Sequence, residues 1–132
     1  MAELPDPEGI FIAALKAQPL VVARCGLSDS GNPAISTKIG AIFPAVRVTL
    51  VGGRSQPVIH TGSPTLQWEA WDSDEAKAAL LARAINEVAD QLAGIYSVGK
   101  IISSWALGFY YHSPDQETNR QRYLGQIGLL TQ

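Results

Sequence analysis

Few side chains in this sequence could serve as nucleophile, acid or base: Cys25, His60, His112 and Asp115 are the residues from which such a set could be drawn. A nucleophilic thiol needs an imidazole within hydrogen-bond reach and a third group to orient it. All four residues fall in or beside segments read as loops, where catalytic groups often sit. No local signature surrounds them. Ala23-Arg24-Cys25-Gly26-Leu27 is no protease motif, and a G-x-S-x-G elbow is absent. A single cysteine forms no intramolecular disulfide, and no Cys or His pair stands at zinc spacing. The expectation is a protein that is not an enzyme and holds no cofactor or metal, with a buried or idle thiol and two surface histidines.

Gly52-Gly53-Arg54-Ser55 follows a strand pattern and could suggest a phosphate cradle, because glycine lets backbone amides approach an anion. A P-loop would continue into Lys-Ser/Thr and a helix, whereas Pro57 and extended residues follow here. The segment reads instead as a turn glycine pair at a strand end. Arg47, Arg120 and Arg122 could form a basic patch facing a partner or DNA, although solvated surface arginines are the commoner case. Trp71, Tyr110 and Tyr111 are more suggestive. Trp71 and Tyr110 fall on the alternate faces of strands whose other aromatics, Trp68 and Trp105, can serve the core, and aromatics and arginine are enriched in interfaces.

The elements that must position these residues follow from periodicity. Asp6-Pro7 starts a helix running to about Ala17, with Asp6 able to cap it and Ile10, Phe11, Ala14 and Leu15 on one face. Pro19 stops it. Leu20 to Cys25 is too short to classify, and Gly26 to Ala34 is turn-rich. Ile35 to Ile39 is a possible short strand. Ala45 to Val51 is a clearer one, with Val46, Val48 and Leu50 opposed to Arg47 and Thr49. Leu66 to Trp71 repeats the alternation, and Gly52 to Thr65 between them reads as a long loop. A second helix carries the stripe Ala78, Leu81, Ile85, Val88, Leu92, with Asp72 and Glu75 in capping-box spacing and Gly94 as its end. Ile101 to Tyr111 and Arg120 to Thr131 close the chain as strands around a polar turn from His112 to Asn119. Trp105, Leu107, Phe109 and Tyr111 share one face of the first, and Tyr123, Ile127 and Leu129 one face of the second.

This order predicts an α+β fold, a two-layer sandwich of a mostly antiparallel sheet of about four strands with two helices on one face. The 132 residues, 46% hydrophobic and 17% charged, fit a single domain over 1–132. A net charge of −2 gives no reason to expect strong nucleic-acid binding. The acidic, Pro-broken N-terminus is unlike a secretory signal, and no apolar run approaches the roughly 20 residues that span a bilayer. A soluble protein made in the cytoplasm is expected, without a membrane partner.

Three blocks resemble the tail terminator proteins of long-tailed bacteriophages, small minor tail proteins that cap the tail tube. They are Phe43-Pro-Ala-Val-Arg-Val-Thr-Leu-Val-Gly-Gly, Leu66-Gln-Trp-Glu-Ala-Trp running into the second helix, and Tyr111-His-Ser-Pro-Asp-Gln-Glu-Thr-Asn-Arg-Gln-Arg-Tyr. With the first helix these cover most of the chain, while Gly26 to Ile42 has no match. The resemblance implies a virion protein at the head-proximal end of the tail, assembled in the host cytoplasm. It implies a homohexameric ring that stops tube polymerisation and joins the head, with tail tube protein and neck protein as partners and DNA passing through the lumen without specific binding. A ring needs two different patches on each subunit. Arg47, Arg54, Trp71, Arg120 and Arg122 are the candidate interface residues. Two other readings stand beside it: a head-completion or neck connector subunit, and a small ligand-binding or enzymatic α+β domain with a pocket near His112 and Asp115.

Overall fold

The computed structural model describes residues 5–56 and 61–132. Helix α1 spans Pro7–Lys16, with Pro7 at its first position, where a missing N–H costs nothing. Asp6 precedes it in extended conformation, but its side chain accepts no amide, so the proline and the buried face set the start. That face is Ile10, Phe11, Ala14 and Leu15. Pro19 ends α1 and opens a second short helix, α2 (Pro19–Ala23), which buries Val21 in the run that the sequence left unclassified.

The expected two-layer sandwich with four strands and two helices is overturned. Among the described residues there are three helices and a curled, mixed sheet of seven strands. These are β1 (Ile35–Ser36), β2 (Ala45–Gln56), β3 (Thr61–Asp72), β4 (Gly94–Tyr96), β5 (Gly99–Ala106), β6 (Tyr111–His112) and β7 (Gln121–Thr131), with α3 (Glu75–Val88) between β3 and β4. The order across the sheet is β1-β2-β3-β7-β5-β4, and β6 also pairs with β7. β1 runs parallel to β2; every other pairing is antiparallel.

Two departures from the expected strands have a common cause, an irregularity that the ladder absorbs. Gly52-Gly53 does not end β2: the register shifts between Leu50 and Gly52, and pairing then continues to Gln56 opposite Thr61. The expected loop from Gly52 to Thr65 is thus largely a hairpin arm. His60 lies outside the described residues. Likewise the expected continuous strand from Ile101 to Tyr111 is broken. Ala106 pairs with Ile127 and Tyr111 with Leu124, so Leu107, Gly108, Phe109 and Tyr110 stand opposite only Gly125 and Gln126, and the excess chain bulges outward.

Helix α3 starts two residues later than the capping-box spacing suggests, because Asp72 is still in β3, paired with Gln121. Asp74 is the cap, its Oδ1 accepting the Ala76 amide at 2.9 Å, and the Asp72 carboxylate accepts the Asp74 amide at 2.9 Å. The helix stops at Val88, ahead of the expected Gly94, which instead begins β4. The link is tied down by the Leu92 amide donating to Ser104 Oγ at 3.1 Å and by the Tyr96 hydroxyl donating to the Leu92 carbonyl at 2.7 Å.

Ala78, Leu81, Ile85 and Val88 of the expected stripe are buried on α3, and Leu92 is buried in the link that follows it, all in one cluster with Leu66, Trp68 and Ala70 of β3, Val46 and Val48 of β2, and Ile127 and Leu129 of β7. The α1 face joins the same cluster. Strand side chains alternate, so these residues share one face of the sheet, and that face is the covered one. The other carries Arg47, Gln67, Glu69, Trp71, Arg122, Leu124 and Gln126 at successive paired positions, with none of the helices among the described residues over it.

Candidate functional site

The open face is organised around one buried acid. Glu69 is 5% exposed and its carboxylate accepts from Trp71 Nε1 at 3.1 Å and from Gln67 Nε2 at 3.2 Å. Arg47, its cross-strand partner, places a guanidinium nitrogen 3.6 Å from Glu69 Oε1. On the next strand Arg122 lies over the Trp71 ring at 5.2 Å, a cation–π arrangement, and also donates to the Ser113 carbonyl at 2.9 Å and to Ser113 Oγ at 3.3 Å. Arg120 lies over the Phe43 ring at 4.4 Å, just before β2.

Four of the five candidate interface residues therefore sit close together. Arg47, Trp71 and Arg122 are joined through Glu69 and the indole, and Arg120 sits at the same end of the face. Arg54 is apart, exposed on the hairpin arm. Sequence reasoning passed over Glu69. Its signal was the polar phase Gln67, Glu69 of a strand aligned against Arg47, a cross-strand charge pair that is visible only once β2 and β3 are paired in register.

Beside this network lies an apolar strip. Trp105 and Leu107 are each 38% exposed, Tyr111 60% and Phe109 93%. Leu107, Phe109 and Tyr111 line a shallow cavity of about 220 Å³ with Gln67, Leu124, Gly125 and Gln126. Trp105 thus belongs to the open face and not to the core, while Trp71, expected to be displayed, is buried under Arg122. Tyr110 turns through to the covered side, 5.9 Å from the Trp68 ring and 6.1 Å from that of Tyr123. The bulge is anchored by one aromatic and displays the next.

The residues weighed for catalysis are not drawn together. Cys25 is buried, and burial pushes its thiol up to about 12, which favours the protonated form at neutral pH. His112 stacks on Tyr123 at 4.8 Å, with Nε2 2.7 Å from Gln121 Oε1 and Nδ1 3.8 Å from Glu75. Burial and then the Glu75 carboxylate raise the Tyr123 phenol, whose hydroxyl donates to that same carboxylate at 3.3 Å. Asp115 is bonded within its own turn, accepting from the Thr118 hydroxyl at 2.6 Å and the Thr118 amide at 3.1 Å, and these bonds hold its carboxyl below the usual range. Neither His112 nor Asp115 lines the cavities of about 610, 340, 230 and 220 Å³. No group of three or more potential metal-ligating side chains occurs among those residues, and no helix among them is long and apolar enough to cross a membrane.

No protein-family model matches the chain, and no curated protein matches it. A solved structure does. The fold recurs in a virion protein. The structure is titled "Virion of native gene transfer agent (GTA) particle", and one of its chains superposes with a TM-score of 0.65 at 13% sequence identity, over 95% of the present chain and 93% of that one. At that identity the likeness is one of fold. It extends over nearly the whole of both chains.

Proposed function

We propose that this chain is a structural protein of a phage-type virion and, within it, a tail terminator: a subunit of a hexameric ring that caps the tail tube, halts its polymerisation and offers the joining surface for the neck. The observation that carries the reading is the nearly full-length fold likeness to a virion component. The open sheet face supports it, because exposed aromatics bordered by arginines have the composition of an interface. Arg47, Arg120 and Arg122 are assigned to the subunit contacts of that ring, with Trp71 beneath Arg122 as support. DNA passes the lumen without specific binding, consistent with a net charge of −2 that supplies no surplus of phosphate-neutralising side chains.

The test is the mass of the purified protein by light scattering over a wide concentration range, followed by electron microscopy of the largest species. A ring near six times 14.1 kDa that binds the ends of tail tubes and stops their elongation is expected. A ring that ignores tubes and binds the portal side would place it among neck connectors. A chain that stays monomeric throughout would sink the ring.

A further inference from the structure

A closed ring requires every subunit to carry two different, complementary patches, one for each neighbour. This chain has a protruding apolar knob on one sheet face and an apolar hole on the other. The knob is Phe109, 93% exposed at the tip of the bulge between β5 and β6 and flanked by Tyr111 and Leu107. The hole is a cavity of about 610 Å³ where the hairpin arm runs past the start of α1, lined by Pro5, Pro7, Leu50, Gly53, Arg54 and Pro64 among others. Leu50 pairs with Leu66, a covered-face residue, which puts the hole on the side opposite the knob.

We propose, on the ring reading, that Phe109 of each subunit seats in the Leu50–Pro64 hole of the next copy of this chain. The two patches lie on opposite faces, so a subunit cannot fill its own hole, and the contact runs head to tail. Area favours a second copy as occupant. Three aromatics of about 150–250 Å² each, exposed to the degrees seen in Trp105, Phe109 and Tyr111, leave on the order of 400 Å² of apolar surface on the open face. A stable interface needs roughly 800 Å² per partner, with an apolar centre and a polar rim. The strip supplies the centre, and Arg47, Gln67 and Gln126 beside it supply rim.

Arg54 borders the same hole but pairs with Ser63, on the strand phase opposite to that of Leu50 and Pro64.

The experiment is cross-linking of the intact chain with a short bismaleimide. Cys25 is buried with its thiol pushed up, so introduced cysteines react first. A Phe109→Cys, Leu50→Cys double variant should give a ladder from dimer to closed hexamer, and neither single variant should give one. Phe109→Asp should raise the midpoint concentration of assembly at least about tenfold while leaving the circular dichroism and melting of the monomer unchanged. Dimers from Phe109→Cys alone would mean a two-fold contact and overturn the proposal. A wild-type hexamer that survives Phe109→Asp and gives no ladder in the double variant would overturn the knob contact and leave the ring standing. A wild type monomeric at every concentration would overturn both.

Discussion

Two tryptophans lie flat against two glycines of the same strand from opposite sides, and their fates separate the two faces of the sheet. Trp68 packs over Gly125 on the covered face, so closely that a Cβ there would stand 2.3 Å from the indole, and it is 2% exposed. Trp105 packs over Gly128 on the open face, with a Cβ distance of 2.4 Å, and keeps 38% of its surface in water. The local device is the same in both: glycine removes the side chain that would hold the ring off the backbone. What differs is the next layer: Trp68 shares a buried cluster with residues of α1 and α3, whereas no helix among the described residues covers Trp105. Trp68→Ala should therefore lower the unfolding free energy by about 3–5 kcal/mol. Trp105→Ala, measured at a concentration where the chain is monomeric, should lower it by only about 1 kcal/mol. Equal losses in urea titrations would mean that the two faces do not differ as described.

On the open face the polar contribution to stability centres on Glu69. Replacing it by alanine strips the buried Trp71 N–H of its acceptor and leaves Arg47 without its carboxylate. A cost of about 1–3 kcal/mol is expected, set by the orphaned indole more than by the half-exposed arginine. The double variant Glu69→Ala, Trp71→Phe removes donor and acceptor together and should recover part of the loss. A single variant as stable as the wild type would show that the network is surface decoration.

A pH titration sharpens the contrast from the covered side. The buried Cys25 thiol is raised from 9.0 to about 12, so between those values the folded chain holds a proton that the unfolded chain has released. Stability from this group is thus complete below about pH 9 and is lost as pH rises toward 12. Cys25→Ser should flatten the alkaline limb of the stability curve, and the native thiol should resist labelling at pH 8 until the chain is unfolded. Rapid labelling of the folded protein would contradict its burial.

Periodicity made the covered face legible. Ala78, Leu81, Ile85 and Val88 of the stripe and the phase Val46, Val48 opposed to Arg47 are where the pattern puts them, because burial selects residue type at each repeat, and Leu92, though past the end of the helix, is buried too. Period two says that a strand has two faces without saying which one is covered, hence the exchange of roles between Trp71 and Trp105. The hairpin arm was hidden because Gly52-Gly53 has the composition of a strand end, and only pairing with Thr65 and Pro64 carries the strand past it. The bulge at Leu107–Tyr110 was hidden for the same reason. Extra residues in a strand are defined by the partner strand, and the partner, Gly125-Gln126, lies well downstream. Both irregularities shape the open face and its rim, so the candidate site was less legible than the core.

The smallest expected effect tests the open face most directly. Phe109 is held out by a bulge whose neighbour Tyr110 is anchored against Trp68 and Tyr123, so its own ring has almost no packing to lose in the monomer. Phe109→Ser should change the urea midpoint of the monomer by no more than about 0.5 kcal/mol equivalent, the range of an unremarkable surface substitution. Tyr110→Ser, one residue along, should cost several times as much, since it removes the anchor that fixes the bulge. A loss above about 1 kcal/mol for Phe109→Ser would mean that the ring packs inside its own subunit, and an exposed apolar face would no longer be available to a neighbour. A silent Phe109→Ser beside a costly Tyr110→Ser leaves the bulge as a rigid mount for a side chain that contributes nothing to the stability of its own subunit, which is the property expected of a contact residue.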